Sequence, residues 1–331
     1  ENTKQNRIKS FKSSGNSNNK VKEFDQEDII ALRNLGSGSS SCVELAYNVE
    51  GETLVAVKTL SGSDPKIPEL IEREISLYGK IQHPLFPKFY GRIKDQNSIA
   101  IEFINGIALS EVFNDESKSN DEKSKIKLTY EEKLIIIYEI MLVIECLHEN
   151  KIIYRDLKPN NIMIDENHTA ILIDFDRIVD ERKDFDLFNH TNDLGLFYVA
   201  PEVNGNYFSY PCDIYSIGQI IFFVINEKQP KNNSLDNDSF TNQEIREIYG
   251  ICVKDNANER PIIFDLCIFF CIKFHIYIEN IEKILNQSIK AISNAYIHEN
   301  SLPAYFIMGL IYHKGEYVSR DINKAIHYYS L

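Results

Sequence analysis

The hydrophobic pattern changes period along the chain, and this limits the folds open to it. Residues 29–60 carry short apolar runs, such as Leu54-Val55-Ala56-Val57, broken by Gly-rich and Gly-Glu turns. Such runs read as antiparallel strands joined by hairpins. Residues 68–82 switch to helical spacing, with Leu70, Ile71, Ile75, Leu77, Tyr78 and Ile81 as the apolar positions and Pro68 where a helix can start. Strand-like runs return at 87–93 and 98–104. Residues 129–150 form a long amphipathic helix opened by Thr129 and Glu132 in capping-box spacing, and helical patterns dominate beyond it. The expected fold class is α+β: a small β-rich half, then a larger helical half, joined near residues 102–110.

Composition narrows the partners. A formal net charge of −13 argues against nucleic acid or an anionic membrane as the main partner. The 6 cysteines form no CxxC pair and show no zinc-like spacing, so they read as buried thiols of a reducing, intracellular and cytoplasmic setting. The apolar run Ile262 to Ile278 contains Asp265, Lys273 and His275, which favours a buried helix over a membrane span. Residues 1–24 are expected to be a disordered arm, being rich in Lys, Ser, Asn and Gly without periodicity up to residue 22. Residues 114–127 and 231–243 read as solvated loops.

Leu35-Gly36-Ser37-Gly38-Ser39-Ser40-Ser41-Cys42-Val43 lies between two strand-like runs. Glycines there let backbone amides approach phosphates closely. A strand follows rather than a helix, which disfavours a dinucleotide-binding loop, and no Gly-Lys-Ser/Thr follows, which excludes the P-loop of other NTPases. Downstream, Val55-Ala56-Val57-Lys58 ends a Val-rich strand in a lysine placed to hold a triphosphate as a point charge.

The strongest signal is Ile152-Ile153-Tyr154-Arg155-Asp156-Leu157-Lys158-Pro159-Asn160-Asn161-Ile162-Met163-Ile164. It resembles the catalytic loop of eukaryotic-type protein kinases. Gly36, Gly38, Val43 and Lys58 are similar to that family's glycine-rich loop and ATP lysine, and Glu74 matches the helical glutamate that pairs with the lysine. Leu172-Ile173-Asp174-Phe175-Asp176 resembles the Asp-Phe-Gly magnesium motif. The resemblance spans roughly residues 28–275 and implies a two-lobed kinase domain over 25–278, with an N-lobe about 25–104 and a C-lobe about 105–278.

That resemblance implies ATP and magnesium as cofactors and protein substrates as partners. Asp156 would accept or orient the substrate hydroxyl's proton, and Lys158 would steady the transferring phosphate. Asn161 and Asp174 would ligate the metal. Ala56 and Met163 would sandwich adenine below Val43, with Ile101 behind, and the backbone of Glu102, Phe103 and Ile104 would bind its edge. Lys158 in Asp-Leu-Lys-Pro points to a serine/threonine kinase of tyrosine-kinase-like flavour. The alternative is a pseudokinase scaffold that binds nucleotide weakly and recruits partners through C-terminal SEL-like repeats.

The chain departs from the family at Ser41 for the third glycine, Tyr154 for the usual histidine and Asp176 for the glycine after Asp-Phe. The last exchange predicts an activation segment that flips less freely and a lower rate, and it adds a carboxylate near the metal that would alter metal affinity. Ala200-Pro201-Glu202 resembles the end of that segment, with Arg260 as the partner of Glu202. Arg155 would bind a phosphate on the segment, at Thr191 or Tyr198. Residues 279–331 read as a helical linker and a partial SEL-like, tetratricopeptide-like repeat, from Ala304 to Tyr329, suited to binding a protein partner.

Overall fold

The computed structural model describes residues 21–37, 41–62, 65–113, 126–180, 196–205, 209–230, 240–274 and 322–329. Its N-terminal part is a 6-stranded sheet with strand order β1-β5-β6-β4-β3-β2. The strands are β1 (Glu23–Phe24), β2 (Ile29–Ser37), β3 (Ser41–Asn48), β4 (Thr53–Leu60), β5 (Phe89–Ile93) and β6 (Ser98–Glu102). β2 to β4 form an antiparallel meander, and β4 then pairs with β6. Helix α1 (Ile67–Lys80) buries Leu70, Ile71, Ile75, Leu77 and Tyr78 in the main core. Pro68 occupies its first turn, where a missing N–H costs nothing.

β1 pairs in parallel with β5. Phe24, only 1% exposed, joins Ala46, Val55, Val57, Ile93 and Ala100 in a second, smaller core. Ordered structure therefore begins inside the segment expected to be a disordered arm. A lone phenylalanine among polar residues carries no periodicity, so its burial could not be read from pattern. Residues 1–20 lie outside the described residues.

The helical half begins after β7 (Gly106–Ala108) and the short α2 (Leu109–Val112). α3 (Tyr130–Glu149) starts on the expected capping box. The Thr129 N–H donates to Glu132 Oε2 at 2.8 Å, and the Glu132 N–H donates to Thr129 Oγ1 at 3.2 Å. α3 packs against α4 (Tyr210–Asn226) and α6 (Ile263–Phe274), and α4 packs against α5 (Gln243–Cys252). Gly218 on α4 permits the last contact, because a Cβ there would come within 2.6 Å of Val253 Cγ1.

The run read as a buried helix is α6 as far as Phe274. Leu266, Cys267, Phe270 and Cys271 are buried, and Phe270 stacks on Tyr138 of α3. Among the described residues, no helix is long and apolar enough to cross a membrane.

Short strands carry the loops between the halves. β9 (Ile162–Asp165) pairs with β10 (Ala170–Leu172) and β7, and β8 (Ile152–Ile153) pairs with β11 (Val179–Asp180). Of residues 279–331, only α7 (Ile322–Tyr329) is described. The first helix of the expected repeat lies outside the described residues, as does most of the loop expected at 114–127.

Candidate active site

Antiparallel pairing sets the first wall. Val43 lies opposite Lys58 and Leu45 opposite Ala56, so Val43, Ala56 and Lys58 share one face of the sheet. Gly36 of β2 pairs with Val43 of β3, and among the described residues nothing lies within 4 Å of where a Cβ on Gly36 would be. Gly38 lies outside the described residues. Glu102 ends β6, where its N–H donates to Lys88 O, and half-buried Ile104 follows in the link to β7. Met163 enters from β9 and packs half-buried against the main core.

Lys58 Nζ donates to Glu74 Oε2 at 2.8 Å and to Asp174 Oδ1 at 2.6 Å. Burial would push the Lys58 ammonium down, but the charges of Asp174, Glu74 and Asp176 outweigh it and hold it well above its usual value. Burial raises the Glu74 carboxyl against the pull of Lys58. Burial also works to raise Asp174, yet the charge and hydrogen bond of Lys58 keep it below its usual value. Lys58 thus stays cationic and pinned between carboxylates from both halves of the chain.

The second cluster sits on the loop from β8 to β9. Asn161, in a 3-10 turn over Pro159–Asn161, donates Nδ2 to Asp156 O at 2.8 Å and to Asp156 Oδ2 at 2.9 Å. Lys158 Nζ lies 3.0 Å from the same Oδ2. Arg155 and Asp174 have positive φ, 75° and 66°, conformations that cost about 1–2 kcal/mol for residues with a Cβ. Fully buried Asp213 of α4 holds the first of them in place. It accepts the N–H of Arg155 at 2.8 Å and of Tyr154 at 2.9 Å, and it contacts His148 Nε2 at 2.8 Å.

A divalent cation fits these residues. The Asn161 amide nitrogen is tied to Asp156, which turns the amide oxygen to the remaining side. Asp174 keeps 30% of its side chain exposed. A carbonyl and a carboxylate oxygen suit a hard cation that retains several waters.

Sequence reasoning did not find the column of rings behind the site. Phe89 stacks on Tyr78 at 5.1 Å between centroids, Tyr78 meets Phe175 edge-on at 5.7 Å, and Phe175 meets Tyr154 at 5.8 Å. The Tyr154 hydroxyl donates to Ile173 O at 2.6 Å, so the residue replacing the usual histidine braces the backbone just before Asp174. One signal was present: Tyr78 follows Glu74 by one helical turn.

Arg177 was also missed, and its Nε lies 3.9 Å from Asp156 Oδ2. Burial, then the charge of Arg177, pushes Arg155 down to about 10, with Asp213 opposing and Arg73 adding. Glu202 and Arg260 pair as expected, through bonds of 2.6 and 2.8 Å. Tyr198 is 4% exposed and its hydroxyl donates to Gln229, which removes it as an accessible modification site. Thr191 lies outside the described residues.

Asp176 does not have a left-handed backbone, so aspartate meets no strain of that kind at the glycine position. Its side chain is buried. Burial and the charge of Asp174 push its carboxyl up to about 7.

A two-lobed domain with a lysine, paired carboxylates and a braced aspartate in its cleft is the architecture of a phosphoryl-transfer protein. A protein kinase domain profile matches residues 29–301, and the chain belongs to the protein kinase family. It is 30% identical over 261 residues to a protein described as a probable serine/threonine-protein kinase of Dictyostelium discoideum, covering 72% of this chain and 41% of that one. It is 29% identical to a MAP kinase kinase of Saccharomyces cerevisiae, covering 64% of this chain and 44% of that one. It is 31% identical to the carbon catabolite-derepressing protein kinase of Candida glabrata, covering 60% of this chain and 32% of that one. The chain therefore spans less than half the length of each of these relatives. Protein kinases use ATP and magnesium.

Proposed function

We propose that this chain is an active serine/threonine kinase that transfers the γ-phosphate of ATP to hydroxyls of protein substrates. One observation carries this: Lys58 is pinned by Glu74 and Asp174 together, while Asn161 and Lys158 hold Asp156. When bound, ATP supplies the phosphoryl group and magnesium neutralises its phosphate charge. Lys58 offers a fixed positive charge to the phosphates. Asn161 and Asp174 offer oxygens to the cation. The described contacts of the Asp156 carboxylate fall on Oδ2, leaving Oδ1 to take the hydroxyl's hydrogen bond and orient it for attack. Val43, Ala56 and Met163 supply apolar walls for the base, with Glu102 and Ile104 at its edge.

A phosphotransfer assay on serine, threonine and tyrosine peptides tests this, with Asp156→Asn as control. Transfer to serine or threonine that is lost in Asp156→Asn supports it. Equal signals from both proteins would instead support the pseudokinase scaffold.

Phosphorylated Thr191 would dock on Arg155, beside Arg73 and Arg177, whose mutual repulsion an anion relieves. The C-terminal segment is read as a SEL-like repeat that recruits a protein partner. Exposed Ile322 and Ile326, one turn apart on α7, support this by offering an apolar stripe. The cysteines, all free, suit a reducing cytoplasmic setting.

A further inference from the structure

The candidate active site uses one face of the six-stranded sheet. Val43, Ala56 and Lys58 lie on that face, so Glu44, Ala46 and Val57 lie on the other. Phe24 covers part of this outer face, over Val55 and Ala100. Beside it is a cavity of about 240 Å³, whose apolar lining is Ala31, Ala46, Val57 and Ile93. Pockets for small molecules usually hold about 300–1,000 Å³, so this one suits a single side chain better than a free ligand. Its lining also includes Glu44, which is half-buried. Among the described residues, no hydrogen bond or ion pair reaches the Glu44 carboxylate. Exposed Glu27 follows Gln26 of the lining, and Lys94, the cation next to Ile93, is already paired with Asp25 at 3.3 Å. The cavity is thus apolar with an acidic margin.

The chain carries a segment of matching chemistry. Residues 1–20 hold five basic residues against one acidic, in a protein of net charge −13, and their only apolar residues are Ile8 and Phe11. Both sit in the run Arg7-Ile8-Lys9-Ser10-Phe11-Lys12. We propose that residues 7–12 dock on the outer face of the sheet, with the Phe11 ring in the cavity and a flanking basic residue on Glu44. This does not depend on the kinase reading. Reach is sufficient: the stretch from Val21 back to Phe11 extends to about 33 Å, and a sheet of six strands is about 24 Å wide. The tether keeps the segment at an effective concentration of about a millimolar, so one buried ring and a few screened charges hold it. Docking braces β3 and β4 from behind, the two strands whose other face carries Val43 and Lys58.

The test places a photoreactive ring in the full chain, as Phe11→p-benzoylphenylalanine, and maps its crosslinks by mass spectrometry. Crosslinks within one chain to peptides holding Ala31, Ala46, Val57 or Ile93 are expected. In the same labelled chain, Glu44→Lys reverses the charge at the margin and Ala31→Phe fills the cavity. Each should lower the crosslink yield about threefold or more. Thermal melts identify which variants are folded. Unchanged yield in either folded variant overturns the proposal, as do crosslinks to other parts of the chain or none at all. Crosslinks that join two chains, seen as a dimer on a denaturing gel, overturn docking within one chain and assign this face to a second copy.

Discussion

Lys58 Nζ lies 2.6 Å from Oδ1 of Asp174, a residue 116 positions further along the chain. This bond joins the β-rich half to the loop that would hold the metal. It also confines Lys58, whose charge its carboxylate neighbours protect. Lys58→Met keeps the length of the side chain and removes the charge. Phosphotransfer should then fall by about 100-fold or more. Turnover measured at saturating ATP checks this, and full activity in the variant contradicts it.

Arg260 has no exposed side-chain surface and bonds both oxygens of Glu202. It also donates to the carbonyls of Lys254 and Pro211, and it lies over the ring of Tyr215. Arg260→Ala leaves Glu202 without its partner, and Glu202 is only 19% exposed. The expected loss is about 3 kcal/mol of stability, at the low end for a broken buried pair because Glu202 regains some water. Urea denaturation checks this, and an unchanged midpoint would count against it.

Glu132 is held down to about 2, first by the Thr129 N–H and then by His168, against its usual 4.5. A carboxyl lowered on folding stabilises the protein above its usual value, and the contribution disappears as pH falls through the lowered one. Glu132→Gln should thus be less stable at neutral pH by about 1 kcal/mol, the typical worth of a helix cap. The gap should narrow from pH 4.5 towards 2. Thermal melts across that range would show parallel curves if Glu132 played no such part.

Tyr154→Phe keeps the ring against Phe175 and removes the bond to Ile173 O. The expected cost is about 1 kcal/mol of stability, with lower turnover and little change in ATP affinity. A rise in the Michaelis constant for ATP with unchanged turnover would show that the hydroxyl does not brace the backbone just before Asp174.

Much of the site was legible because its chemistry is local. Asp156, Lys158 and Asn161 share one short loop, and the structure joins them through the Asp156 carboxylate. Lys58 and Asp174 are different. Each looks like an ordinary strand-end charge, and only resemblance to a family linked them before the fold closed the distance. The capping box at Thr129 and the burial of α6 followed from spacing and interrupted hydrophobicity. Phe24 was invisible, because one ring in a polar stretch has no period. Phe89, Tyr78 and Phe175 were invisible for the opposite reason, since every core contains such rings and their order in space is not written in any run. The sequence drew notice to Asp176 both as a backbone problem and as an extra carboxylate near the metal. The structure removes the first, since Asp176 has no left-handed backbone.

The ring column has a consequence for inhibitor chemistry. Phe175 touches Tyr78, Phe86 and Tyr154 at once, and such pairs are each worth about 0.5–1.5 kcal/mol beyond simple burial. A compound that lodges behind Lys58 must first draw Phe175 out of all these contacts. Compounds of that kind should enter slowly and, once seated, leave slowly, whereas those confined to the space under Val43 should exchange freely.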